Sequence, residues 1–213
     1  MDRRYHGAVL DQIELSLRAR PGRPVQGIGL GVARAAVAAV INPQAELLFI
    51  RRAERVGDPW SGHVAFPGGR AEAGDEGPVG TAVRETVEEV GLALPDAGRL
   101  LGPLDELLAP VRRGPPQLVI SPFVFHLQRL QPLRPNVEVA SVHWLSLERL
   151  AMGEGRSSFD LEWGGATLRM PCIELSGLRI WGLTLRMLDD LLERMGGQTS
   201  PDVELLHGED PRR

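Results

Sequence analysis

The chain has a single cysteine, Cys172, in 213 residues, which leaves no partner for an internal disulfide and no CxxC pair for a metal knuckle. A reducing cytoplasm suits such a chain. Long apolar runs are lacking as well: no stretch approaches the roughly 20 residues needed to span a bilayer. The arginine-bearing start MDRRYHGAVLDQIELSLRAR is interrupted by Asp11, Gln12 and Glu14 where a signal peptide would be apolar. The sequence therefore reads as a soluble protein with no membrane partner. Positive charge is not in surplus either. The formal net charge is -4, so no global field gathers nucleic acid or anionic lipid, and any phosphate must be met by a metal ion or by a few well-placed arginines. No internal repeat of fixed period is present.

A hydrophobic content of 43% over this length is enough for one substantial core, and one domain is the default. Val9, Leu10, Ile13 and Leu17 at helical spacing predict an amphipathic helix over residues 7–19, ending before Pro21-Gly22. We expect residues 1–29 to form a helix and linker packed on a central domain of residues 30–196, followed by a polar, flexible tail at 197–213. Residues 35–42 and ELLFIRR (residues 46–52) read as two strands of a hairpin around Pro43-Gln44. A long loop rich in glycine, proline and tryptophan follows, and loops of that length in compact domains are usually functional. Pro78 suits the first turn of a helix that runs free of glycine and proline from Thr81 to Val90 and stops at Gly91. RLLGPLDELLAP, QLVISPFVFHLQ and EVASVHWLSL predict further strands, and residues 167–181 one or two short ones. Leu185, Leu188, Leu191 and Leu192 fall on one face of a last helix at 183–195. The class is mixed α/β.

Glu85, Glu88 and Glu89 stand at i, i+3 and i+4 of the best-marked helix, so their like charges crowd one side. Taken alone, such a row is more often a solvated acidic face. Here a loop bringing Glu72, Asp75 and Glu76 immediately precedes it, and a hard divalent cation such as magnesium or manganese would relieve the repulsion.

The run from Gly69 to Leu92, GRAEAGDEGPVGTAVRETVEEVGL, resembles the Nudix box. Arg84 to Leu92 follows its Arg-Glu-apolar-x-Glu-Glu-x-Gly-apolar half, with Thr86 in the first apolar place. In the other half Asp75 stands where the box carries glutamate, with one extra residue before Arg84, as is similar to the coenzyme A pyrophosphatase branch. The lead-in to FPGG, the SPFVF segment, RPNVEVASVHWLSL and IWGLTLRML look like that branch too, over roughly residues 30–190. Against the branch's lead-in pattern, Phe49 stands at a threonine, Arg52 at a serine and Asp58 at an arginine.

The resemblance implies an α/β/α sandwich around a mixed sheet, with added N- and C-terminal helices. It implies hydrolysis of a phosphoanhydride with Mg2+ or Mn2+ on Glu85, Glu88, Glu89 and the Gly68 carbonyl. Arg84 is expected to pair bidentately with Asp75 and hold Glu85 in place. Glu89 or Glu138 would take a proton from water. Arg51, Arg52 and Arg55 are candidates to meet substrate phosphates, and Phe66 to shape the pocket; His63, lacking a second His or Cys at ligand spacing, is not a metal ligand. The expected partner is a small nucleotide substrate and not a nucleic acid, and a homodimer is compatible with the sequence. Coenzyme A or an acyl derivative is the first substrate expectation. ADP-ribose, NADH or a dinucleoside polyphosphate is the alternative, and a nucleotide-binding module without catalysis is a third reading.

Overall fold

The structure is a computed structural model and describes residues 3–28, 31–58, 60–109 and 118–207. Its centre is β1 (Ala33–Ile41), whose run AAVAAVI is buried on both faces. A strand covered on both sides needs apolar residues at consecutive positions rather than alternating ones. Ala36, Ala38 and Val40 face one core cluster, and Ala35, Val37, Ala39 and Ile41 face the other.

Parallel pairing runs from β1 to β7 (Leu118–Leu127), in register from Ala33↔Leu118 to Ile41↔His126. The hairpin expected with β2 (Glu46–Arg52) closes only at its turn, where Ile41 pairs Leu47. Beyond that point β1 takes β4 (Gly68–Arg70) as its antiparallel neighbour, while β2 pairs β3 (Val64–Ala65) and β8 (Val139–Ser146). The long loop between β2 and the acidic helix thus enters the sheet twice. Strands β5 (Gly98–Pro103) and β6 (Leu107–Ala109) flank β7 and complete an eight-stranded mixed sheet. The expected turn at Pro115-Pro116 lies outside the described residues.

Helix α2 (Gly77–Val90) and the short α3 (Leu94–Ala97) lie on one face, where Ala82, Val90, Leu92 and Leu94 meet Leu48 and Ile50. The other face carries α1 (Arg3–Ala19) and α5 (Gly182–Arg194). Ile13 and Leu17 of α1 are fully buried there, as are Leu188, Leu191 and Leu192 of α5. At about 1.5–3 kcal/mol for each such side chain, the terminal helices contribute to the core and are not appendages. The α/β/α layering is as expected.

The C-terminal third goes beyond the expectation. After α4 (Leu147–Ala151), β9 (Arg156–Trp163), β10 (Ala166–Leu175) and β11 (Leu178–Trp181) form a second antiparallel sheet. The segment read as a polar tail supplies one of its strands, β12 (Glu204–His207), which pairs Thr167, Leu168 and Arg169 of β10. Backbone groups left open along β10 beyond β11 account for that docking. Residues 208–213 of the tail lie outside the described residues.

Candidate active site

The site is assembled where α2, the Pro67–Gly69 turn, the end of β2 and the loop before β8 meet. Helix α2 has its proline at the first turn, and Gly91 ends it at φ 69°, donating its N–H to Val87 O at 2.9 Å. That left-handed stop is the conformation glycine adopts without cost. Thr86, in the place usually apolar, is fully buried, and its hydroxyl donates to Ala82 O at 2.7 Å, so no polar atom is stranded there.

Arg84 and Asp75 are brought together. Nε reaches Oδ1 at 2.8 Å and Nη2 reaches Oδ2 at 3.1 Å, a fork-to-carboxylate pair. Asp75 also accepts from the Thr81 hydroxyl at 2.8 Å and from Glu72 N at 2.9 Å. The Arg84 bonds, then those from Glu72 and Thr81, hold the Asp75 carboxyl well below the usual carboxylate range. Arg84 donates further to Arg70 O at 2.9 Å, tying β4 to the helix, and its Nη1 lies 3.1 Å from Glu85 and 3.3 Å from Glu88.

The three helix glutamates differ in setting. Glu89 is 2% exposed and accepts one hydrogen bond, from Gly68 N at 2.9 Å. Burial pushes its pKa up to about 7; the Gly68 bond and Arg52 pull the other way, while Glu85 and Glu138 add to the rise. Glu85 is also raised by burial, partly offset by Arg84. Its carboxylate lies against Gly69, where a Cβ would stand 2.3 Å from Oε1, so only glycine permits this approach. Glu88 turns outward, its side chain 54% exposed. Among the described residues no three acidic, histidine or cysteine groups converge closely enough to hold an ion as they stand, because Glu89 points to Gly68 and Arg84 sits between Glu85 and Glu88. The donor set still suits a hard divalent ion: Glu85 and Glu89 are two carboxylates held out of water, both raised by burial and both raised further by Glu138, so a cation that replaces the lost solvation would be bound.

Glu138 belongs to the same neighbourhood, since its charge acts on both Glu85 and Glu89. Its loop is fastened to the end of α2 by Arg134 N to Val90 O at 2.7 Å and Asn136 N to Glu89 O at 2.9 Å. Asn136 Oδ1 accepts from Glu138 N at 2.8 Å. Asn136 was not singled out from the sequence, although the Pro-Asn pair before Val137 is the sort of dipeptide that builds such side-chain-to-backbone turns. Asp58 is a second addition: it pairs Arg52 at 2.8 Å and accepts from Trp60 N at 2.9 Å. Arg52 and Asp58 are two of the three positions where the lead-in departs from the pattern it resembles, and here they pair with each other. Arg52 Nε is buried without a hydrogen-bond partner. Arg55 pairs Glu138 at 2.9 Å.

Phe66 requires a correction. It is 1% exposed and stacks on Phe49, centroids 5.0 Å apart, inside the core, so it anchors the loop to the sheet instead of facing a ligand. His63 lies against Trp181, ring centroids 4.9 Å apart and the planes tilted by 59°, and burial lowers its pKa. Cys172 is buried, and burial raises its thiol pKa.

The NUDIX domain profile matches residues 31–161, more than half of the chain, across the sheet, the α2 carboxylates and the Glu138 loop. The chain belongs to the NUDIX domain family. Among curated relatives, the human mitochondrial coenzyme A diphosphatase NUDT8 is 33% identical over 177 residues, 78% of this chain and 72% of that protein. A protein of Schizosaccharomyces pombe is 38% identical over 119 residues, 54% of this chain, and the match spans only 36% of that protein's length. The solved MutT protein of Methanosarcina mazei Go1 aligns over 80% of this chain and 96% of its own, with 19% identity and a TM-score of 0.49. By family the chain is a Nudix hydrolase. Among the described residues no helix is long and apolar enough to cross a membrane.

Proposed function

We propose that this Nudix hydrolase cleaves the diphosphate of coenzyme A or an acyl-coenzyme A, yielding 3',5'-ADP and 4'-phosphopantetheine or its acyl derivative, with magnesium or manganese as cofactor. The observation that carries the reading is the desolvated pair Glu85 and Glu89 beside the Pro67–Gly69 turn, with Glu89 accepting from Gly68 N and the Glu85 carboxylate lying against Gly69. Glu85, Glu88, Glu89 and the Gly68 carbonyl are the residues to hold the ion, which when bound neutralises phosphoryl charge and acidifies water.

The chain's own groups do the rest. The Arg84–Asp75 fork fixes the helix side chain next to Glu85 and keeps that carboxylate aimed at the turn. Glu89, with a pKa of about 7, can hold or release a proton near neutral pH, which is where a general base is effective. Glu138, paired with Arg55 at 2.9 Å, is the second candidate to accept a proton from water. Arg52, its side chain 26% exposed, is a candidate to meet a phosphate oxygen through its guanidinium. The name of the human relative supports a coenzyme A substrate.

The mutual pairing of Arg52 and Asp58, in place of the branch's usual residues, favours a second reading with the same chemistry: hydrolysis of another nucleoside diphosphate linked to X, such as ADP-ribose, NADH or a dinucleoside polyphosphate. A metal-dependent substrate panel read by mass spectrometry separates them. Release of 3',5'-ADP from coenzyme A is expected; AMP from ADP-ribose with coenzyme A intact overturns the first reading. Tight nucleotide binding without turnover in both the unmodified protein and Glu89→Gln would instead identify a non-catalytic module and a cellular role in nucleotide sensing.

A further inference from the structure

The last strand of a sheet leaves one row of N–H and C=O groups unpaired, and such an edge is ordinarily guarded by charge, proline or shortness. Most edges of this molecule follow that rule. In the second sheet β9 carries Arg156, Asp160 and Glu162, and β12 is four residues long. In the central sheet β5 carries Arg99 and Pro103, while β3, β4 and β6 run to three residues at most. Strand β8 is the exception: its eight residues, VASVHWLS, hold no charge and no proline in a chain that is 24% charged. Among the described residues it pairs only with β2.

The ladder fixes which groups of β8 are open. Arg52 N donates to His63 O on one side of β2, and Leu147 N donates to Ala45 O on the other. With that alternation, Phe49 exchanges hydrogen bonds with His143 and Arg51 with Ser141 inside the sheet, so the N–H and C=O of Val142 and Trp144 point away from β2. No other backbone group of the described residues bonds to them. The one irregularity of the ladder falls at its end, between Arg51 and Arg52, and leaves residues 141–145 regular. An open edge of this kind accepts many strands, but this one fits itself. A strand paired with its own copy brings the residue at the axis onto its like, where a charge would be repelled, and β8 has none. With Val142 on the axis, its outward N–H and C=O exchange two hydrogen bonds with those of the other copy. Exposed Ala140 then stands opposite partly buried Trp144, small against large, and Ser141 opposite His143, hydroxyl against imidazole. An acidic or basic peptide would find no counter-charge on this strand.

We propose that β8 pairs antiparallel with β8 of a second copy of the chain, about a twofold axis at Val142, and joins two eight-stranded sheets into one with both α2 helices on the same side. The contact goes beyond the hydrolase reading and does not rest on it. Sedimentation equilibrium of the full chain should give twice its mass. Val142→Lys sets two ammonium groups against each other at the axis and should raise the dimer dissociation constant by at least about a hundredfold. Val142→Cys changes the strand little and tests the register, also where the lysine variant fails to fold. Directly opposed Cα atoms of a hydrogen-bonded pair lie about 5.5 Å apart, within disulfide range, so mild oxidation should yield a covalent dimer that the unmodified protein, its Cys172 buried, does not form. Ala140→Cys is more exposed, but its two copies would stand four residues out of line, roughly 14 Å apart, and should not be joined. A monomer at every concentration overturns the proposal, as does a dimer that a folded Val142→Lys leaves intact, or equal cross-linking of the two cysteine variants.

Discussion

Two clusters of arginines and carboxylates sit on opposite faces of the central sheet, and they are built to different ends. Where α1, α5 and the β5–β6 connection meet, Arg194 has a side chain with no exposure and pairs Asp105 at 2.9 Å and Asp190 at 3.0 Å. Arg20 joins Asp190 at 3.0 Å, and Arg23 donates to Asp105. Every cation there has an anion, and the Asp190 carboxylate also accepts from Asp105 N at 2.9 Å. On the α2 face Arg84 is shared among Asp75, Glu85 and Glu88, and Glu89 is buried with no ion-pair partner among the described residues, so burial still raises both Glu85 and Glu89. A closed network is a structural joint; a site that holds excess charge out of water at a cost to folding is kept for something that binds. All 24 basic residues of the chain are arginine, so the difference lies in how many carboxylates each cluster holds and how deeply, not in the type of cation.

Neutralising one carboxylate of the open cluster should produce the largest effect. Glu89→Gln retains an acceptor for Gly68 N but loses charge and basicity, and kcat for the preferred substrate should fall by about 10²–10⁴-fold, measured by initial rates at saturating magnesium. A loss below fivefold would mean that the excess charge is not catalytic, and the contrast between the clusters would disappear. The closed cluster should respond in stability alone. Arg194→Met removes the fully buried cation but leaves Asp105 with Arg23 and Asp190 with Arg20, so it should cost about 1.5–3 kcal/mol in urea unfolding, while the folded fraction keeps its KM.

The same Glu89→Gln variant reverses sign when stability is measured. Glu89 rises from 4.5 to about 7 in the folded protein, so the folded state retains a proton that the unfolded chain releases between those values. Stability of the unmodified protein therefore declines as pH rises through that window, and the penalty is complete above it. The variant lacks the penalty and, with EDTA present, should be more stable by about 3 kcal/mol at pH 8 and no more stable below about pH 4. Thermal unfolding across pH checks this; identical curves for both proteins would contradict the desolvation of Glu89.

Legibility in the sequence followed the same division. The acidic helix, with its proline start and Gly91 stop, and the leucine face of α5 are local patterns, and both helices stand within a few residues of where the spacing puts them. The mates of β1 are not local: β7 takes one whole edge of β1, and on the other edge β4 takes Ala35 to Val37, so the hairpin with β2 parts after one pair. The second sheet left a signal that was passed over, since Gly164 and Gly165 have φ of 62° and 84°, the backbone of a tight two-residue hairpin between β9 and β10. Nothing comparable marks β12, four residues whose pairing is decided by the open edge of β10. In the site, the Arg84–Asp75 pair followed from the resemblance of residues 69–92 to the box. The burial of Phe66 and the Arg52–Asp58 pair depend on how the long loop enters the sheet.

The smallest effect bears on whether the helix itself or only its charged face is specialised. Thr86 occupies a fully buried position, and its hydroxyl is satisfied by Ala82 O one turn back. Thr86→Val has nearly the same shape: it removes one hydrogen bond and also the need to bury a hydroxyl, and Ala82 O still lies within the helical ladder. These terms oppose each other, so the change in unfolding free energy should stay within about 1 kcal/mol, with kcat unaltered. A cost above about 2 kcal/mol, or a drop in kcat that accompanies unchanged stability, would show that the buried side of α2 takes part in setting the carboxylates, and the site would then extend through the helix into the core cluster of Ala82 and Val90.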